Sequence, residues 1–308
     1  MTLYRWIALL LCLIGLAACG TAAPAPLIPT PALVPATETL ASPPSSTPAR
    51  TATPTPLPLN LHPQVIVLAG NLPEPDDLLL TPDGSILVSD VTDGTLKQLA
   101  RDGQLRLVLS GLSSPEGMVL LPDGSLVIAE QGRNRLVRYD FNSQTLTPFL
   151  NLENHTGNLG VDGLAWNGSA IIVPDSPNGR VLAVSPDGAT VRTIASGLTR
   201  PTGAWPEAGG NLLLADENGD AVFRLGTDGS LEKIASFSIP DDVIEDAEGN
   251  IFVVTLGDDA IHLIPAGTNQ DVILVSGLNN PQGLIFDSDG SLVVTDSGAH
   301  RLIKVVVR

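Results

Sequence analysis

Six short turns that could do chemistry together recur along this 308-residue chain. They are Pro75-Asp76-Asp77, Pro115-Glu116-Gly117, Val161-Asp162-Gly163, Pro201-Thr202-Gly203, Pro240-Asp241-Asp242 and Pro281-Gln282-Gly283. Their middle residues lie 40, 46, 40, 39 and 41 positions apart. If the chain gathers them, their carboxylates repel and raise one another's pKa values. A divalent cation relieves that repulsion. An oxygen-only donor set, with no Cys or His cluster beside it, suits Ca²⁺ or Mg²⁺ and not zinc. Asp76, Asp77, Asp162 and Asp241 are the expected metal ligands. Glu116, Asp162, Thr202 and Gln282 are the expected ligand contacts around them. The competing reading is structural: turn acids often accept backbone N–H bonds and point elsewhere. The longest step contains an insertion, residues 151–160, that carries His155. A histidine there can act as a general base near neutral pH, or simply be solvated. The sequence holds no Gly-x-Ser-x-Gly elbow, no phosphate loop and no cysteine nucleophile outside its first 20 residues.

The elements that position these turns follow from the repeat. Each turn leads into a short apolar run, then a Gly-containing turn such as Pro82-Asp83-Gly84 or Pro122-Asp123-Gly124. A second apolar run follows, for example Ile86-Leu87-Val88 or Leu126-Val127-Ile128. Runs this short, fenced by turn residues, read as strands. Four strands in a unit of about 40 residues is the arithmetic of a propeller blade. The rungs of a parallel β-helix are shorter. The fold class is therefore all-β, a six-bladed β-propeller over residues 61–308. The last unit ends after three strands, and Gln64–Gly70 resembles the fourth strand of other units. It is expected to complete the last blade and so cover both open edges. In this architecture the first strands line a central channel, and the six turns open onto its mouth. An acid also closes the second strand in five units: Asp90, Glu130, Asp175, Asp216 and Asp296, with Thr255 in the fifth unit. A residue repeated so regularly reads as structural, satisfying amides in the following turn.

The remaining sixty residues read as address and tether. A run of 13 residues from Trp6 to Ala18 is too short to span a bilayer, which needs about 20 in a helix. It suits a signal-peptide core, residues 1–18. Residues 20–60 hold eleven prolines and only two charges, Glu38 and Arg50. That composition cannot form a core, and it reads as a semi-rigid spacer over residues 19–60. The chain has two cysteines, Cys12 and Cys19, so a mature form starting at Cys19 has no disulfide. The net charge is −17, from 33 acidic and 16 basic residues. A field of that sign repels nucleic acid and anionic lipid headgroups.

Three resemblances sharpen these expectations. Leu16-Ala17-Ala18-Cys19-Gly20 resembles the lipobox of bacterial lipoproteins. That implies lipidation of Cys19 and an extracytoplasmic place in the bacterial cell envelope, with the membrane touched only through the anchor. Residues 281–301 resemble an NHL repeat. Pro240–Val253 and Gly163-Leu164-Ala165-Trp166 resemble the senescence marker protein/gluconolactonase superfamily. The latter resemblance implies a metal held by a Glu, an Asn and an Asp, the Asp doubling as general base. Asp241 matches that Asp. The Glu falls on Asp76 or Asp77, and the Asn falls on Thr202, a poorer ligand. Two of three ligands thus depart from the family. The leading expectation is a tethered, monomeric propeller that binds a small molecule, glycan or protein at its acidic mouth. The alternative is a metal-dependent lactonase or ester hydrolase, with Asp241 as its catalytic residue.

Overall fold

A computed structural model describes residues 58–153 and 160–308. Cys19 and His155 lie outside them. Among the described residues, 24 strands form six four-stranded antiparallel sheets. Five sheets take their strands in chain order, each a meander of one repeat. The sixth combines Pro281–Phe286, Leu292–Asp296 and Arg301–Val306 with the N-terminal strand Gln64–Gly70. Gln64 pairs with Val306 and Gly70 with Arg301, so the ring closes as the sequence predicts.

The hairpin turns explain themselves locally. Asp83 and Asp123 each accept the amide of the serine two residues on, at 3.1 and 3.0 Å. Gly84 and Gly124 take positive φ, 77° and 83°, which a residue with a Cβ adopts at a cost. The second strand of every blade is buried along its whole length. It is sandwiched between neighbouring sheets, so both faces can be apolar. The fourth strands face water and carry runs of exposed positions. The core consists of clusters between adjacent blades. One joins Ile244, Phe252 and Val254 to Leu284, Leu292 and Val294. Each such side chain contributes about 1.5–3 kcal/mol on burial.

Blade 3 is the irregular one. Its first strand is only Ala165–Trp166, and Val161–Leu164 precede it without strand pairing. The amide of Val161 is instead held by the Asn134 side chain of blade 2, at 2.9 Å.

Candidate functional site

The acidic turns become a site through a repeated β-bulge. In blade 1, Pro75 pairs with Asp90 but Leu78 pairs with Val88. Two residues, Asp76 and Asp77, therefore oppose one, Ser89. A bulge re-aims side chains that strict alternation would send to opposite faces. The same register shift occurs at Pro115/Met118, Pro201/Ala204, Pro240/Val243 and Pro281/Leu284. As a result the consecutive acids Asp76 and Asp77, and likewise Asp241 and Asp242, all wall one axial cavity of about 480 Å³.

Around the axis the bulges tie each blade to the next. Gly117 N–H donates to the Asp162 carbonyl at 3.3 Å, and Gly163 N–H to the Thr202 carbonyl at 3.1 Å. Thr202 Oγ1 donates to the Asp241 carbonyl at 2.7 Å. Asp242 Oδ2 accepts the Leu284 amide at 3.1 Å. Thr295 Oγ1 donates to the Asp76 carbonyl at 2.6 Å. Asp77 accepts the Met118 amide. These six bonds circle the channel. The glycines make the approach possible: a Cβ on Gly117 would stand 2.3 Å from the Leu164 nitrogen.

The structure brings Asp76, Glu116 and Asp162 together. One oxygen from each lies within 4.8 Å of the others, and all three residues are buried. Oxygens gathered this closely can share a single calcium ion, whose bonds are 2.3–2.6 Å. The donor set thus fits a hard cation. Glu116 shares a side-chain hydrogen bond with Asp76, which requires a proton between two acids. Burial, with neighbouring acids adding to it, pushes Asp76 up to about 8 from its ordinary 3.8. Asp77 is pushed up to about 7, again chiefly by burial. Burial raises Glu116 well above the usual carboxylate range, with the charges of Asp76 and Asp162 adding to it. Asp241 is raised well above that range by burial and then by Asp162 and Asp76. Asp162 is raised by burial, against the pull of Arg200.

Arg200 is the cation that sequence reasoning missed. Its Nη2 meets Asp162 Oδ2 at 2.8 Å, and it also pairs with Glu217. It stands immediately before the Pro201 turn, where the other blades carry Glu74, Ser114, Gly160, Ile239 and Asn280. That lone basic residue at a repeated position was the available signal. Asp242 was also missed, although Pro240-Asp241-Asp242 repeats Pro75-Asp76-Asp77. Of the remaining expected contacts, Thr202 lines the cavity with its hydroxyl committed to the Asp241 carbonyl. Gln282 is half-buried and stands outside the cavity wall.

The recurrent second-strand acids behave differently. Asp90, Asp175 and Asp296 pair with Lys97, Arg180 and Arg301 at 2.8, 2.7 and 2.6 Å, and Glu130 pairs with Arg135. Several also hold amides, but mainly of the loop that leads into their own blade and less of the turn that follows them. Ser113 donates to Glu130 at 2.8 Å, Thr199 to Asp216 at 3.0 Å and Asn279 to Asp296 at 2.7 Å.

Comparison with known proteins agrees with this architecture. Residues 278–304 match the NHL repeat family model. No curated protein sequence matches the chain. A gluconolactonase from Xanthomonas campestris superposes with a TM-score of 0.67 at 18% identity, over 80% of this chain and 90% of that one. The calcium-binding protein regucalcin from Agrobacterium tumefaciens gives 0.64 at 16% identity, over 78% and 92%. Virginiamycin B lyase from Staphylococcus aureus gives 0.61 at 11% identity, over 80% and 99%. At these identities the likeness is one of fold. The chain is a six-bladed β-propeller that carries an NHL repeat.

Proposed function

We propose that this protein is a binding propeller of the bacterial cell envelope, anchored through Cys19 and holding a divalent cation at its axis. The observation that carries the reading is the approach of Asp76, Glu116 and Asp162 oxygens to within 4.8 Å. Those three residues would hold the ion, with Asp241 beside them. Arg200 partly neutralises Asp162, and an irregular set of side-chain oxygens suits calcium's looser demands better than the near-ideal octahedron that magnesium requires. The cavity that Asp76, Asp162 and Asp241 line has the size and mixed lining of a small-molecule site. A monomer with one such mouth, held away from the membrane by its Pro-rich spacer, suits capture of a ligand outside the cell.

Lactone or ester hydrolysis is the second reading, favoured by Asp241 standing among the axial acids and by the gluconolactonase fold neighbours. A bound cation would supply a Lewis acid there. Asp241, whose proton affinity burial raises, would then hold or release the proton.

Calcium is expected to raise the melting temperature, and Asp76→Asn to abolish the rise. A chelator that leaves the melting temperature of a calcium-loaded sample unchanged would reject the cation. A lactone and aryl-ester panel separates the two readings. Turnover lost in Asp241→Asn supports hydrolysis, and no turnover on any substrate leaves binding.

A further inference from the structure

Asp77 and Asp242 occupy a position that the other four blades fill with glycine: Gly117, Gly163, Gly203 and Gly283. Two blades thus place a carboxylate where close packing elsewhere tolerates no side chain. Both carboxylates flank the same stretch of blade 6. Asp242 Oδ2 accepts the Leu284 amide at 3.1 Å. Asp77 Oδ1 lies 3.3 Å from where a Cβ on Gly283 would stand. Their other partners are neutral amides: Leu78 at 2.6 Å and Met118 for Asp77, and Val243 at 2.8 Å for Asp242. Among the described residues neither carboxylate makes an ion pair, although every second-strand acid but Asp216 has a Lys or Arg. Each carboxylate keeps acceptor capacity beyond its amides.

Asp76, Asp162, Thr202 and Asp241 line the same cavity, and beyond these polar residues its wall is apolar. Met118, Leu120, Trp166, Trp205, Leu284 and Ile285 all line it. A bare metal ion, which needs six to eight oxygens, gains nothing from such a wall. An anion meets acceptors and like charge, and a neutral apolar molecule offers these carboxylates no hydrogen-bond donor. We infer that the channel binds an amphipathic organic ammonium, its nitrogen held between Asp77 and Asp242 and its apolar body against Met118, Trp166 and Trp205. This deepens the reading of the axial channel as a ligand site, and it uses carboxylates other than the three that would hold the divalent ion.

The test is calorimetric titration of the full chain with 2-phenylethylammonium and with its neutral isostere, 2-phenylethanol. The ammonium is expected to bind about tenfold more tightly or better, the margin one good charge-assisted contact supplies. Asp77→Asn/Asp242→Asn should bring the two ligands to within about twofold. Asp77→Gly/Asp242→Gly, which installs the residue of the other four blades, should do the same and guards against a folding defect in the first variant. Equal binding of the alcohol, or ammonium binding unchanged in both double variants, overturns the inference. Calcium stabilisation with no ammonium binding overturns it while leaving the proposed cation. Ammonium binding without calcium stabilisation supports it and rejects the cation instead.

Discussion

The molecule buries two sets of carboxylates, and they are built on opposite terms. The second-strand set recurs with little variation, and four of its five members carry a Lys or Arg partner. The fifth, Asp216, accepts the amides of Thr199 and Arg200. The axial set varies from blade to blade, and Arg200 is its one basic partner among the described residues. Side chains that recur in five of the six units arrive with their compensation, a Lys or Arg in four and backbone amides in the fifth, because the repeat copies the partners too. Side chains that break the repeat lack it, and burial drives the pKa of Asp76, Glu116 and Asp241 upward. A site built on such charge is costly to the empty protein and ready for a cation.

Substitution divides the two sets most sharply. Asp296→Ala removes a fully buried partner of Arg301 and of the Asn279 amide. It is expected to cost about 3 kcal/mol in denaturant unfolding, since it leaves the Asn279 amide and a partly exposed Arg301 without their acceptor. Glu116→Gln in chelator is expected to leave stability unchanged or raise it, since it removes a like charge from the axis. Equal destabilisation by both would erase the distinction between the sets.

Calcium should give the next largest effect. At 100 times its dissociation constant, a ligand specific to the folded state adds about 2.7 kcal/mol. That gain should appear as a higher melting temperature in the parent chain and vanish in Asp76→Asn.

The pH dependence sharpens the same contrast. Asp76 and Asp77 have folded pKa values of about 8 and about 7, above the ordinary 3.8. The folded state therefore binds protons that the unfolded chain has released. The stability they contribute is full below about pH 3.8 and is lost as pH rises through 7 to 8. In chelator, the melting temperature should fall from pH 5 to pH 8, and saturating calcium should flatten the fall. A rise over that range would contradict the assignment. The smallest effect belongs to the ring of inter-blade bonds. Thr202→Val removes one bond to the Asp241 carbonyl and should cost about 1 kcal/mol in denaturant unfolding.

The propeller was legible because each blade states itself in one stretch of chain. The runs around Ile86 and Leu126, their Asp-Gly turns and the odd strand Gln64–Gly70 require only local patterning and a count. The site was legible in residue type only: Asp76, Asp77, Asp162 and Asp241 were the expected metal ligands and Glu116 a ligand contact, whereas the oxygens that converge belong to Asp76, Glu116 and Asp162. What escaped notice depends on geometry between blades. The bulge that lets Asp76 and Asp77 share one cavity appears only in the register of Pro75 and Leu78. Arg200 reaches Asp162 across 38 positions, from one blade to the next. The second-strand acids were readable as structural, but their reach back to Ser113, Thr199 and Asn279 was not, because those amides lie 17 residues upstream.

The central claim is that the axial carboxylates hold a divalent cation. A crystal structure of the protein grown with calcium tests it most directly. The expected result is one ion on the axis, with oxygens of Asp76, Glu116 and Asp162 at 2.3–2.6 Å. An axis free of metal, with Glu116 still bonded to Asp76 through a shared proton, would contradict it.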